Sequence, residues 1–246
     1  IAQIIVDHLP ENTMIASTDI AGPGFINIKL APSAFQAVAA RVREQRSDFG
    51  KGTLPEGTPH KINLEYVSAN PTGPMHVGHG RWATLGDAIA RVMRHAGYEV
   101  SEEYYINDHG VQMDVFGNSV SVRYMQLLGH DVEMPEKCYG GGYVKDIAQN
   151  IIDRDGNKWE SVSDEERMAA FREIAYKEML DLARNTLTNF GTTFDTWFSE
   201  RSLYVPDESG ESAVTRSLAV MNEKGYLYEK DGATWFRSTD FGDDKD

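Results

Sequence analysis

The sequence contains a single cysteine, Cys138, among its 246 residues. One cysteine excludes an internal disulfide and a cluster of zinc-binding thiolates, and it suits a reducing compartment. No apolar run approaches the roughly 20 residues that a membrane-spanning helix needs. No secretory signal peptide is recognisable either. We therefore expect a cytoplasmic protein that does not enter a membrane.

Basic residues are scarce, and the formal net charge is −14 at pH 7. A negative charge of this size argues against a nucleic-acid partner, because nucleic-acid-binding surfaces are usually basic. The excess of acidic residues lies in residues 101–246, whereas residues 1–100 are close to neutral. The charge pattern therefore contains no basic stripe that would by itself predict binding of nucleic acid.

Repeats and low-complexity tracts are absent too. Hydrophobic residues make up 41% of the chain and charged residues 25%, which is ordinary for a globular protein. A chain of 246 residues can form one large domain or two smaller ones. It begins at Ile1 and ends within a charged run, so we expect a piece of a longer protein.

Apolar and turn-forming residues predict a small first domain. Residues 15–20 and 25–30 are predicted strands separated by a Gly-Pro-Gly turn, and Pro32 is predicted to open a helix. Glycine and proline are then frequent in residues 50–59, which are predicted to form a linker. We therefore predict part of a small α+β domain over residues 1–55 and a second domain over residues 56–246.

The second domain begins with two predicted strand–loop–helix units. Residues 61–67 and 99–106 are rich in strand-forming residues, and the segment after each has apolar residues at helical spacing. In the first of these helices the apolar positions include Leu85 and Ile89. This order predicts a parallel sheet of the α/β class. Residues 135–238 contain a predicted glycine-rich loop, two helices and a hairpin, and we expect them to form an insertion.

The loop after the first of these strands contains the sequence His-Val-Gly-His. His76 and His79 are three residues apart at a predicted helix start, so their side chains should face the same side. Helix N-termini bind phosphate, and Gly78 leaves room for a phosphate or a base against the backbone. Two imidazoles here could stabilise charge that develops on a phosphate. A metal site is disfavoured because no third ligand is near, and two histidines without a function are the simpler alternative.

Further polar residues follow the same two strands. Glu65, Ser68 and Asn70 follow the first, and Asp108 and Gln112 follow the second. Ligands of open parallel sheets bind beyond the carboxyl ends of the strands, so this arrangement predicts a nucleotide site. Each residue also has a structural alternative. Glu65 could cap a loop or pair with a lysine, Asn70 is a good turn former, and the last two residues could cap a helix.

These segments resemble the class I aminoacyl-tRNA synthetases, and specifically the arginyl-tRNA synthetases. The similar stretches, in the order found in that family, are residues 65–71, 76–79, 105–112, 194–204 and 235–246. Residues 21–27 are similar to a segment of the additional N-terminal domain of the same enzymes. The resemblance implies a Rossmann-like catalytic domain whose insertion is similar to a connective peptide. It also implies activation of L-arginine with ATP and Mg²⁺, followed by transfer to tRNA(Arg).

The resemblance also implies roles for individual residues. His76, Gly78 and His79 would bind ATP, with the two histidines acting on the phosphates. Glu65 would bind the guanidinium group, which pairs best with a carboxylate, and Asn70 would hold the α-amino group. The other residues implied for the arginine site are Ser68, Asp108 and Gln112. Phe25 and Asn27 match positions that contact the D-loop of tRNA, although core packing is an equally good explanation of Phe25.

The sequence departs from the family pattern at one position in this region. Some arginyl-tRNA synthetases have a lysine three residues before the first histidine, where this chain has Gly73. The chain also contains no loop of the K-M-S-K type, so we expect this chain alone to be inactive. We expect a monomer. Two alternatives use the same residues: an H-x-G-H nucleotidylyltransferase, or a nucleotide- or tRNA-binding module without catalysis.

Overall fold

A computed structural model describes all 246 residues of the chain. The backbone divides into two compact units. One unit consists of Ile1–His60 with Val92–Tyr98, and the other of Lys61–Arg91 with Glu99–Asp246. None of the helices is both long enough and apolar enough to traverse a bilayer.

The first unit contains an antiparallel hairpin and two helices. Its turn lies at Gly22 and Gly24, whose positive φ values of 56° and 142° suit glycine. Pro32 begins the second helix, as its fixed φ and missing N–H group favour. These elements confirm the predicted strands and helix start, and their bounds are α1 Ala2–Asp7, β1 Ile15–Ala21, β2 Phe25–Leu30 and α2 Pro32–Gln45.

The second unit is built on a parallel sheet of three strands, which confirms the predicted α/β class. The strands are β3 (Lys61–Glu65), β4 (Glu99–Ile106) and β5 (Thr196–Ser199), with β4 in the centre. Along β4 every second residue is buried, so that one face of the strand packs on the core. The register pairs the last residue of β4, Ile106, with Ser199 at the end of β5. The three carboxyl ends therefore lie at one edge of the sheet.

The sheet differs from the sequence prediction at two places. The strand predicted over residues 61–67 ends at Glu65, because Val67 and Ser68 have φ values of 67° and 39° that an extended strand cannot contain. β5 was not predicted, since four residues are too few to show a strand period, and pairing with β4 sets its conformation. The range 135–238, predicted as an insertion, thus includes one strand of the main sheet.

Helices form the rest of the second unit and its larger core. The core lies between three helices and includes the buried side chains of Phe116, Tyr124, Ile147 and Phe171. One of these helices was missed, because the glycine run at residues 140–142 predicted a loop whereas Gly142 begins a helix. The helices and the terminal hairpin are α3 Val77–His95, α4 Val111–Leu127, α5 Gly142–Asp155, α6 Asp164–Phe190, α7 Ala213–Glu223, β6 Leu227–Lys230 and β7 Ala233–Phe236.

Helix α3 was predicted correctly, but the apolar positions that indicated it do not form its buried face. Leu85 and Ile89 are 58% and 39% exposed. The helix instead approaches the ring of Tyr66 so closely that a Cβ atom at Gly86 would lie 2.2 Å from it. Only small side chains fit such an approach. The buried face therefore consists of Ala83, Gly86 and Ala90.

Candidate active site

The two histidines lie against each other where α3 begins. The ring centroids of His76 and His79 are 3.8 Å apart, and the ring planes differ by 21°. His76 comes directly before the first helical residue, Val77, and His79 lies in the first turn. The structure thus brings together the two side chains that their spacing predicted on one side of the helix.

Backbone hydrogen bonds determine which nitrogen of each ring carries the proton. The N–H group of Gly78 donates to Nδ1 of His76 at 3.1 Å, and the N–H group of His76 donates to Nδ1 of His79 at 3.1 Å. A ring nitrogen that accepts is unprotonated, so the proton of each neutral imidazole lies on Nε2. The pair therefore presents two Nε2–H donors.

Burial, and then the neighbouring His76, lower the pKa of His79 from its ordinary value of 6.5. His79 is therefore neutral at pH 7, as its role as an acceptor from a backbone N–H group requires. Because the folded-state pKa is lowered, protonation of His79 reduces the free energy of unfolding. This loss of stability is absent above pH 6.5 and grows as the pH falls from 6.5 through the folded-state pKa.

The absence of a side chain at Gly78 makes room for the ring of His76. A Cβ atom at this position would lie 2.9 Å from Cε1 and 3.0 Å from Nδ1 of His76. In the structure, the missing side chain therefore makes room for the imidazole, and the N–H group of Gly78 is engaged by the same ring. Contact of Gly78 with ATP stays a prediction.

Glu65 and Ser68 meet at the end of β3. The hydroxyl of Ser68 donates to Oε1 of Glu65 at 2.5 Å and accepts from the N–H group of Tyr105 on β4 at 3.0 Å. Glu65 itself is exposed, so its carboxylate can accept from a ligand. The structure thus confirms neither a cap nor a lysine partner for Glu65, and instead ties it to Ser68.

Asn70 and Gln112 both connect to a residue that sequence reasoning left without a role. Nδ2 of Asn107 donates to Oδ1 of Asn70 at 3.0 Å, and Nε2 of Gln112 lies 3.5 Å from the carbonyl oxygen of Asn107. Asn107 follows β4 and so links the loop after β3 to the start of α4. Asn107 lies within residues 105–112, which are similar to the arginyl enzymes, and this similarity could have drawn attention to it.

Asp108 follows β4, and its carboxylate is turned toward residues on and beside β5 and α6. Its side chain is only 2% exposed and accepts from the hydroxyl groups of Ser199 at 2.6 Å and Tyr176 at 3.0 Å. The backbone N–H group of Arg201 donates to the other carboxylate oxygen, and its Nε donates to the carbonyl oxygen of Asp108. These internal donors use most of the acceptor capacity of the carboxylate, and contact of Asp108 with arginine stays a prediction.

A shallow groove connects the end of β3 with α3. It has a volume of about 270 Å³, and Glu65, Tyr66, Trp82 and Leu85 are among the residues that line it. The ring of His79 meets the ring of Trp82 edge to face at 5.5 Å. One aromatic side chain therefore borders the groove of Glu65 and also contacts the histidine pair.

Phe25 and Asn27 are both exposed on strand β2, and Phe25 is 72% exposed. Because they are two residues apart in a strand, their side chains share one face of the hairpin. Core packing of Phe25 is therefore not its role in this structure. Nowhere in the 246 residues do three His, Cys, Asp or Glu side chains come together as metal ligands.

Two known protein families match this chain. Residues 50–244 match the family described as tRNA synthetases class I (R), catalytic domain, and residues 1–30 match the arginyl tRNA synthetase N terminal domain. The whole chain is 43% identical to an arginine–tRNA ligase of Geobacter sp. (strain M21) and 44% identical to one of Syntrophotalea carbinolica. It spans 43% of the length of each of these relatives.

Two solved structures are similar in fold. A Campylobacter jejuni protein assigned as an arginyl-tRNA synthetase has 34% identity and a TM-score of 0.74 over 88% of this chain and 45% of its own. The Thermus thermophilus arginyl-tRNA synthetase has a TM-score of 0.53 at 22% identity, over 99% of this chain and 40% of its own, and so shows likeness of fold. The match to the family over most of its length shows that this chain belongs to the arginyl-tRNA synthetase family of class I tRNA synthetases.

Proposed function

We propose that this chain supplies part of the active site of an arginine–tRNA ligase. Such an enzyme activates L-arginine with ATP to arginyl-adenylate and then transfers the arginyl group to tRNA(Arg). The family membership supports this reaction, and so do the names of the relatives. We also propose that residues 1–55 belong to a domain that contacts the D-loop of tRNA, and residues 56–246 to the catalytic domain. The monomeric state and the cytoplasmic location stay predictions.

The first step is a displacement at phosphorus that needs no protein nucleophile. An oxygen of the arginine carboxylate attacks the α-phosphorus of ATP, the bond to the bridging oxygen breaks, and pyrophosphate leaves with the electron pair. Positioning and stabilisation of the growing negative charge are then the main tasks of the protein. The Nε2–H groups of His76 and His79 are suited to donate to those phosphate oxygens. Mg²⁺ would arrive as part of the substrate, bound to ATP.

Recognition of arginine is proposed to rest on Glu65 and Asn70. The exposed carboxylate of Glu65 can accept two parallel hydrogen bonds from a guanidinium group, which a lysine ammonium group cannot supply. The amide of Asn70, oriented by Asn107, is suited to the α-amino group. Asp108 supports the site by joining the ends of β4 and β5.

The observation that carries the proposal is the pair of imidazoles with both Nδ1 atoms occupied at the start of α3. Replacing His79 in the full-length protein tests it. The His79→Asn side chain can accept the backbone N–H group but is too short to donate at the position of Nε2, whereas the His79→Gln side chain reaches that position. We expect His79→Asn to lower kcat about 100-fold, the usual effect of losing one such donor.

The KM for arginine should change little in the His79→Asn variant, and His79→Gln should retain more activity. The assay measures aminoacylation with tRNA present, because arginyl-tRNA synthetases need tRNA to activate arginine. His130→Asn is the control, since His130 is exposed and pairs with Glu160 elsewhere in the chain. Equal losses of kcat and of arginine affinity would contradict a role in the transition state.

A further inference from the structure

The backbone after β3 is strained. Val67 has a φ of 67°, and the N–H group of Ser68 donates to the carbonyl oxygen of Tyr66 at 3.0 Å. A hydrogen bond between residues i and i+2 around a residue of positive φ forms a γ-turn of the rare, strained kind. Valine is branched at Cβ and particularly disfavours this conformation. Such strain is often found at functional sites, where the surrounding structure maintains it.

The turn directs the side chain of Ser68 back to the end of β3. Its hydroxyl proton is donated to Oε1 of Glu65 at 2.5 Å, while its oxygen accepts from the N–H group of Tyr105 at 3.0 Å. Tyr105 belongs to β4, the central strand of the sheet, which is hydrogen-bonded to a neighbouring strand on each side. The hydroxyl therefore connects an exposed carboxylate to the rigid sheet, and it has no second proton for a ligand.

We propose that Ser68 is a positioning residue that holds the Glu65 carboxylate in the orientation required by a guanidinium group. This inference rests on the proposed function, since it assumes that Glu65 binds arginine. An exposed glutamate side chain samples several rotamers, and binding must restrict it to one. A carboxylate already held by the sheet avoids much of that loss, and it presents both oxygens in a defined plane. The sequence had instead predicted that Ser68 contacts arginine itself.

The test is the steady-state kinetics of the full-length protein with Ser68→Ala. Loss of one charge-assisted hydrogen bond to Glu65 should raise the KM for arginine about tenfold. The KM for ATP should stay within about twofold, because the histidine pair does not contact Ser68. Ser209→Ala is the matched control. Ser209 also donates to a carboxylate, that of Asp207 at 2.6 Å, in an exposed loop, and its loss should change neither KM.

Two further variants separate the hydroxyl from the backbone strain. Ser68→Gly also lacks the hydroxyl but relieves the left-handed conformation. If the hydroxyl is responsible, Ser68→Gly and Ser68→Ala should raise the KM for arginine equally, and unequal effects would overturn the proposal. In a Glu65→Asp background the shortened carboxylate no longer reaches Ser68. Ser68→Ala should then change the KM for arginine less than about twofold, since the interaction energy has been removed.

The outcomes distinguish this inference from the proposed function. If Glu65→Gln leaves arginine binding intact, the assignment of Glu65 fails and the proposed function loses its arginine site. If Glu65→Gln abolishes arginine binding but Ser68→Ala has no effect, only the positioning role is overturned. Parallel rises in the KM values for ATP and arginine in Ser68→Ala would show a general structural defect and would also overturn it.

Discussion

Among single residues, Asp108 shows how a buried charge can assemble the edge of a site. Its carboxylate and carbonyl oxygens accept from Ser199, Tyr176 and Arg201, which lie on or beside β5 and α6. Burial, and then the nearby Asp108, raise the pKa of Tyr176 to about 12, so the phenol keeps its donor proton even in alkaline solution. The carboxyl ends of β4 and β5 are thereby held together.

We expect Asp108→Asn to loosen β5. The amide would keep the shape but replace one acceptor oxygen by a donor and remove the charge, which costs about 2–3 kcal/mol for a buried group of this kind. Hydrogen exchange of the β5 amides in the full-length protein should accelerate by one to two orders of magnitude. Asp114→Asn removes an exposed carboxylate that pairs with Arg172, and exchange in β5 should stay unchanged. Unaltered protection of β5 in Asp108→Asn would count against this role.

At the scale of secondary structure, helix α3 combines a small-residue face with an apolar face. The small face brings the helix close to the end of β3 and thereby places the histidines near the strand that carries Glu65. Leu85 and Ile89 lie on the exposed side and border the groove of Glu65. Periodicity locates a helix but does not tell which of two non-polar faces packs against the sheet.

Two glycines of α3 allow a matched comparison. A Cβ atom at Gly86 would lie 2.2 Å from the ring of Tyr66, so Gly86→Ala should destabilise by about 1–3 kcal/mol through overpacking. Gly80 has open space around its Cβ direction, so Gly80→Ala should stabilise the helix by about 0.5–1 kcal/mol. Thermal unfolding of the full-length variants measures both effects. A rise in Tm for Gly86→Ala would refute the close approach.

For the whole molecule, the distribution of charge favours the first unit over residues 101–246 as a surface for tRNA. The excess of acidic residues lies in residues 101–246, which would repel a phosphate backbone. The first unit is close to neutral and exposes Phe25 and Asn27 on one face of a hairpin. An aromatic ring can stack on an unpaired base without a strongly basic surface. Contact with tRNA is therefore proposed for this hairpin.

We expect Phe25→Ala to weaken tRNA binding by the full-length protein about tenfold, the lower range for loss of one stacked base. The KM for arginine should not change. Phe35→Ala is the matched control, because Phe35 is also exposed in the first unit, at 65%, but lies on α2 instead of the hairpin. Equal losses in both variants would indicate a general effect on the unit. Filter binding or fluorescence titration with tRNA(Arg) would measure the difference.

Short sequence patterns correctly predicted the turns, the helix start and the sheet type that depend on neighbouring residues. Gly22 and Gly24 marked a turn, Pro32 marked a helix start, and strand–helix order indicated a parallel sheet. Features that depend on distant partners were missed. β5 is a strand because it pairs with β4. The start of α5 was not predicted, because the glycines at its beginning indicated a loop.

The sequence by itself indicated the family, most of the strands and helices, and the residue types at the carboxyl ends of β3 and β4. These follow from motifs and from periodicity, which are properties of short segments. Only the tertiary structure decided which side chain each polar group meets. In the folded chain Asp108 points inward, Ser68 donates to Glu65, and the ring of His76 fills the space beside Gly78. Hydrogen bonding and close packing depend on distances between segments far apart in the chain, and no local pattern specifies those distances.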